Sequence, residues 1–278
     1  MPTLPFHQVD VFSAVPFKGN PLAVIAEADG LDDATMRAIA NWTNLSETTF
    51  LSRPLDSSAD YRVRIFTPQR ELPFAGHPTL GSAHVWLALG GRPKGEHVVQ
   101  ECGVGLVRIK RDGDRLAFAA PPLKRSGSVD AELTTKIAAA LGIQPSAMRA
   151  VQWVDNGPGW IGVLMDSRQD LLDIRFNTLA LSQQPIGVVA PWDPTRDGRD
   201  ANFEVRAFTW SGTEDPVTGS LNASLAQWLI GAGIAPKHYV ASQGTVLGRA
   251  GRVHVAQHGD TIWIGGDVAP VVKGTISL

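Results

Sequence analysis

The feature that most constrains this chain is an internal echo. Arg64-Ile65-Phe66-Thr67 returns as Arg206-Ala207-Phe208-Thr209, an offset of 142, and the same offset carries Ser82 onto Ser224, Trp86 onto Trp228 and Leu87 onto Leu229. In both halves a strand-like run leads through a Gly/Pro turn into a helix-like run. Repetition of this kind predicts a duplicated domain with pseudo-twofold symmetry. The Pro121-Pro122 pair marks the boundary, giving an N-terminal lobe over 1–120 and a C-terminal lobe over 121–267, with the last strand, 268–278, returning to the first lobe. Two such lobes would leave a cleft between them, the usual place for a small-molecule site.

Twenty-eight glycines and 19 prolines cut the chain into short segments, which favours many strands and few helices. Strands are expected at Phe6 to Phe12, Leu22 to Ala26, Glu47 to Ser52 and Tyr61 to Phe66. In the last of these Tyr61, Val63 and Ile65 alternate with arginines, the period of a half-buried strand. A helix is expected from Asp33 to Thr43, capped by Asp32 and apolar along Met36, Ile39 and Ala40. A second opens at Gly76-His77-Pro78, where proline suits a first turn, and ends at Gly90-Gly91. Further strands are expected at Val98 to Gln100, Gly105 to Lys110, Arg115 to Ala119 and Trp160 to Met165, and a helix at Ala131 to Leu141 stopped by Gly142.

Hydrophobic residues make up 44% of the 278 residues, charged ones 19%, and the formal charge is −2. That composition lets an ordinary core form without staples, and no basic block supplies the footprint of a nucleic-acid partner. One cysteine, Cys102, excludes a disulfide framework. The opening residues carry no basic segment ahead of an apolar run, and no apolar run reaches the ~18 residues that span a membrane. The expectation is therefore a cytoplasmic protein with no membrane partner. No third ligand lies at metal spacing from His77 and His84, so no metal is expected. The eight tryptophans are expected to fill the core.

The chemistry-bearing candidates gather at the two helix starts. The first-turn amides near Gly76-His77 and Gly219-Ser220 have no partners within their own helices and favour an anion. A carboxylated substrate fits better than a nucleotide, because no Walker A or G-x-G-x-x-G sequence follows a strand. Glu47 is a carboxylate among neutral neighbours in Asn44-Leu45-Ser46-Glu47-Thr48-Thr49-Phe50, and Asp215 directly precedes the second helix start. A carboxylate in a closed, partly apolar cleft gives and takes protons near neutrality; each of these residues also fits an ordinary surface or capping role. On residues alone the chain is a two-lobed α/β enzyme whose reaction is open.

The motifs as a set go further. Phe17-Lys18-Gly19-Asn20-Pro21, Asn44 to Phe50, Arg64-Ile65-Phe66-Thr67-Pro68 and Glu71 to Gly81 resemble the PhzF family of phenazine biosynthesis. So do Asn156-Gly157-Pro158, Glu214 to Ser220, Gly248 to Gly251 and Gly265-Gly266, and together they span nearly the whole chain. The resemblance implies an α+β, diaminopimelate-epimerase-like fold. It has two pseudo-symmetric lobes, each a mostly antiparallel curled sheet around a central helix, with the active site in the cleft between them. The fold's epimerases use two cysteines at the helix starts. Cys102 lies elsewhere, so the resemblance implies the single-glutamate chemistry of PhzF, with Glu47 as acid and base. His77, Asp215, Gly76, Gly219 and Ser220 would bind the substrate. No cofactor is implied, and a homodimer is. The implied reaction is proton transfer between carbons of a small carboxylated substrate, which in PhzF itself is trans-2,3-dihydro-3-hydroxyanthranilate. After Pro158 the sequence reads Gly159-Trp160 where a basic residue is expected in many relatives.

Two other readings compete. One is a serine hydrolase built from Ser46 or Ser220 with His77 and Asp215, which lacks a G-x-S-x-G elbow. The other is a two-lobed protein that binds a small acid without converting it.

Overall fold

The computed structural model describes residues 3–177 and 183–278. In chain order the elements are β1 (Thr3–Val11), β2 (Asn20–Ile25), α1 (Asp33–Thr43), β3 (Thr48–Ser52), β4 (Tyr61–Phe66), β5 (Glu71–Leu72), α2 (Gly76–Ala88), β6 (Val98–Cys102), β7 (Gly105–Asp112) and β8 (Arg115–Ala119). There follow β9 (Arg125–Ser128), α3 (Ala131–Leu141), β10 (Met148–Asp155), β11 (Ile161–Met165), α4 (Arg168–Asp173), β12 (Ile186–Pro191), β13 (Phe203–Phe208) and β14 (Glu214–Asp215). The chain closes with α5 (Gly219–Gly231), β15 (His238–Gln243), β16 (Gly251–His258), β17 (Thr261–Gly266) and β18 (Val268–Ser277). Two compact units form, one from the described residues of 1–119 and 265–278, the other from those of 120–264. No helix among the described residues is long and apolar enough to cross a membrane.

Within the first unit β1 lies between β18 and β2, antiparallel to both. β2 and β3 are parallel, which requires a crossover, and α1 supplies it. β3 pairs antiparallel with β4, and β4 takes β5 antiparallel on one stretch and β6 parallel on another. The second unit repeats this order: β9-β10-β11 antiparallel, β11-β12 parallel across α4, β12-β13 antiparallel, then β14 antiparallel and β15 parallel on β13.

The pairing registers fix which residues correspond. Phe66 pairs with Thr48 and Phe208 with Ile186, so the arginine–phenylalanine echo is real at an offset of 142. The next turn is longer in the second unit: Thr67 N–H reaches the Arg70 carbonyl at 2.8 Å, whereas Thr209 N–H reaches Thr213 at 2.8 Å. That extra residue moves the helices to an offset of 143, Gly76 matching Gly219. The sequence matches Ser82/Ser224, Trp86/Trp228 and Leu87/Leu229 are therefore one residue out of structural register, and only the Arg-x-Phe-Thr part of the echo marks equivalent places.

That part is architectural. Arg64 forks onto Glu71 across the hairpin at 2.8 and 2.7 Å, and Arg206 forks onto Glu214 at 2.9 and 2.7 Å. Each guanidinium lies over the phenylalanine two residues on, 5.1 Å from Phe66 and 4.9 Å from Phe208, because alternate residues share a strand face. Each threonine hydroxyl closes its turn by donating to the carbonyl that the backbone also uses, Arg70 or Thr213.

The central helices α2 and α5 are buried over most of their surface, the pattern of a helix enclosed by its own sheet. In the first unit the small residue is on the helix: a Cβ on Gly81 would meet Leu22 at 2.5 Å and Val11 at 3.0 Å. In the second the small residues are on the strands. A Cβ on Gly187 would sit 2.2 Å from Leu221, and one on Gly162 would sit 2.9 Å from Trp228. Asp32 caps α1 by accepting the Thr35 N–H at 2.8 Å, and Gly142 ends α3 in the left-handed conformation. Trp153, Trp160 and Trp228 are buried as expected, but Trp42 and Trp210 are exposed and do not belong to a core.

Candidate active site

Glu47 immediately precedes β3 on a short loop after α1. Asn44 ends that helix in the left-handed region, and the Thr43 and Thr48 hydroxyls, 2.8 Å apart, close the loop across its base. Since Thr48 to Leu51 are buried in the sheet, the Glu47 side chain is carried inward and keeps only 16% of its exposure. His77 is the second residue of α2, whose N-cap residue Ala75 makes no side-chain cap. The ring keeps 6% exposure, and its Nε2 lies 3.4 Å from Glu47 Oε2. Burial pushes the His77 pKa down to about 3, so the ring is neutral near neutrality and faces the carboxylate without a charge of its own.

The other ring nitrogen is met by a residue to which the sequence assigned no role. Asn20 Nδ2 lies 3.5 Å from His77 Nδ1. Asn20 is fully buried at the start of β2, paired with Val11. The backbone beside it admits only glycine, because a Cβ on Gly19 would lie 2.3 Å from the Val11 carbonyl oxygen. Buried Asp10 accepts the Gly19 N–H at 3.0 Å and holds the turn. The signal lay in Gly19-Asn20 itself, a glycine of close approach followed by a buried amide.

In the second unit Asp215 pairs with Ala207 on β13, and its carboxylate accepts the Thr218 hydroxyl at 2.5 Å. Gly219 opens α5, where Thr218 makes no side-chain cap. Ser220 is gripped twice: Trp160 Nε1 donates to its Oγ at 3.1 Å, and Asn156 Nδ2 donates to its carbonyl at 2.9 Å. The indole of Trp160 thus holds the serine hydroxyl from the place where a basic residue was expected. The structure brings Glu47, His77 and the α2 start at Gly76 together in the first unit. Asp215, Gly219 and Ser220 stand together in the second. The pieces of a serine hydrolase are engaged otherwise, since His77 Nε2 faces a carboxylate and Ser220 Oγ accepts from an indole. Among the described residues no group of three or more His, Cys, Asp or Glu is arranged to hold a metal ion.

Comparison with known proteins gives the family. The family model described as phenazine biosynthesis-like protein, PhzC-PhzF, matches residues 9–274. The chain is 36% identical to antisense-enhancing sequence 1 of Schizosaccharomyces pombe, over 88% of this chain and 87% of that protein. It is 33% identical to the trans-2,3-dihydro-3-hydroxyanthranilate isomerase of Pseudomonas aeruginosa, over 90% of this chain and 89% of that one. Among solved structures, a PhzF-family protein of Enterococcus faecalis covers both chains completely with a TM-score of 0.83 at 26% identity. A hydroxyproline epimerase of Agrobacterium vitis shares the fold alone, at a TM-score of 0.60 and 15% identity over 99% of this chain and 93% of that one. The fold is thus the diaminopimelate-epimerase-like one, and the chain belongs to the phenazine biosynthesis-like PhzC-PhzF family and is an isomerase.

Proposed function

We propose that this isomerase moves a proton between two carbons of a small carboxylated substrate, with Glu47 as the single acid and base and no cofactor. The observation that carries the reading is the half-buried Glu47 carboxylate set 3.4 Å from a neutral histidine at a helix start. As carboxylate, Glu47 takes a proton from a carbon acidified by conjugation, and the electron pair left behind delocalises along the substrate. As carboxylic acid, Glu47 then returns the same proton to a second carbon of that system. Charge that builds up on the substrate is offset by backbone amides at Gly76, and His77 orients polar groups. A neutral His77 suits this role, because it donates a hydrogen bond without competing for the proton.

The substrate class in this reading is a cyclic acid bearing amino or hydroxyl groups, by analogy with the Pseudomonas aeruginosa isomerase at 33% identity. We further propose that the protein acts in the cytoplasm as a homodimer. The test is incubation with trans-2,3-dihydro-3-hydroxyanthranilate and related acids in deuterated water. Deuterium entering carbon positions, and its loss by about 10²–10⁴-fold in Glu47→Gln, is the expected result. Binding without incorporation identifies a binder instead, and a fully active Glu47→Gln variant removes Glu47 from the chemistry.

A further inference from the structure

We propose that Asn20 is a positioning residue that fixes the tautomer of His77, holding its one ring proton on Nε2, the nitrogen nearer Glu47. A neutral imidazole carries a proton on one nitrogen and a lone pair on the other, and the partner of either nitrogen decides which is which. His77 Nδ1 faces the side-chain nitrogen of Asn20 at 3.5 Å. With the amide nitrogen on this side the group only donates, so Nδ1 accepts and the proton falls to Nε2. The opposite nitrogen gives the same answer independently. Nε2 lies 3.4 Å from Glu47 Oε2, and a bare lone pair facing a carboxylate oxygen in a buried place is repulsive, whereas N–H facing it is attractive.

Asn20 is placed for this by the main chain. It begins β2 opposite Val11, follows a glycine that no other residue can replace, and lies on a turn anchored by Asp10. The amide therefore arrives at the ring in one position. The low pKa that burial gives His77 keeps the ring neutral, which is the state in which a tautomer has meaning. The benefit to catalysis rests on the reading of Glu47 as acid and base: a fixed Nε2–H presents its positive edge to the carboxylate oxygen 3.4 Å away. The tautomer itself does not depend on that reading.

The experiment is long-range proton–nitrogen correlation NMR on protein labelled at histidine, with His77 assigned by its disappearance in His77→Gln. The native protein is expected to show His77 wholly as the Nε2–H form and unshifted between about pH 5 and about pH 8, where an ordinary histidine titrates. Asn20→Leu is expected to give both tautomers in exchange, and Asn20→Asp to move the proton to Nδ1. A native protein with the proton on Nδ1, or one whose tautomer is unchanged in folded Asn20→Leu, overturns the proposal. The native spectrum decides even if both variants fail to fold. Nδ1–H in an enzyme that needs Glu47 sinks only this proposal, and Nε2–H in a protein that never exchanges deuterium sinks only the isomerase chemistry.

Discussion

The two units run one strand order twice, and what differs is what stands at the matching places. Thr48 and Ile186 begin β3 and β12 in equal register, so Glu47 in the first unit corresponds to Pro185 in the second. His77 and Ser220 are each the second residue of a central helix, one met by Asn20 and the other by Trp160. The Arg-x-Phe-Thr echo, by contrast, makes the same fork, the same stacking and the same turn in both. The frame is duplicated and the proposed acid/base is not. Even the shared fork is put to different use. Arg64 extends to Asp33 in the first turn of α1 at 2.6 Å, while Arg206 reaches the Leu171, Leu172 and Ile174 carbonyls at the end of α4.

That contrast predicts the largest stability effect. Arg206 and Glu214 keep 6% and 11% of side-chain exposure, against 20% and 34% for Arg64 and Glu71. Arg206→Ala strands a nearly buried carboxylate and unties three carbonyls, so it should cost about 3–5 kcal/mol in urea unfolding. Arg64→Ala leaves Glu71 to water and should cost about 1 kcal/mol or less. Equal losses would mean that the two forks are equivalent after all. A smaller effect follows from where the glycines lie. Gly187→Ala drives a methyl into the body of Leu221 and should cost about 1–3 kcal/mol, more than Gly81→Ala, which first meets the end of one Leu22 branch. Adding Leu221→Ala should cost less in the Gly187→Ala background than in the native one, a coupling that a double-mutant cycle measures.

Much of this frame was legible in the sequence because it rests on local chemistry. Tyr61–Phe66 and Arg115–Ala119 are strands with the expected bounds, and Asp33–Thr43 is the expected helix with its expected cap. The register of the echo was not legible, since one inserted turn residue shifts every later match and only hydrogen-bond partners show the shift. Glu47 and His77 were legible as residues through their motifs, but their 3.4 Å approach was not, because it joins a loop before β3 to the start of α2. Asn20 was missed for a related reason: its significance depends on a contact 57 residues away in the chain.

The matching places also differ in how they respond to acid. His77 is buried and neutral with a pKa near 3, while in the unfolded chain it titrates near its ordinary 6.5. The unfolded state therefore binds the proton first as pH falls. His77 leaves stability unchanged above about pH 6.5 and erodes it from there down towards pH 3, by up to about 1.4 kcal/mol per pH unit. Ser220, at the same helix position in the second unit, does not titrate. Denaturation series on native protein and His77→Gln should diverge in slope across that window. Parallel slopes would show that the ring is protonated in the fold, and the distinction between the two helix starts would lose its electrostatic part.

The smallest effect concerns how each central helix meets its sheet. Thr49 and Gly187 hold equal places on β3 and β12. Leu221 fills the space above Gly187, whereas Ser82 of α2 donates to the Thr49 hydroxyl at 3.0 Å. At this matching place one unit joins helix to strand by fit and the other by a buried hydrogen bond. Ser82→Ala should cost about 1 kcal/mol, because it removes the donor and leaves a buried hydroxyl with only its longer bond to the Ala23 carbonyl at 3.4 Å. Pairing it with Thr49→Val removes the acceptor too while keeping the shape, and the double variant should regain most of the loss, since two apolar groups of matching form replace a polar pair at little cost. If the double variant is instead as unstable as the two single losses added, the bond specifies the seat of α2 in a way that packing alone cannot. The start of that helix, and His77 with it, would then be seated in part by the Ser82–Thr49 bond.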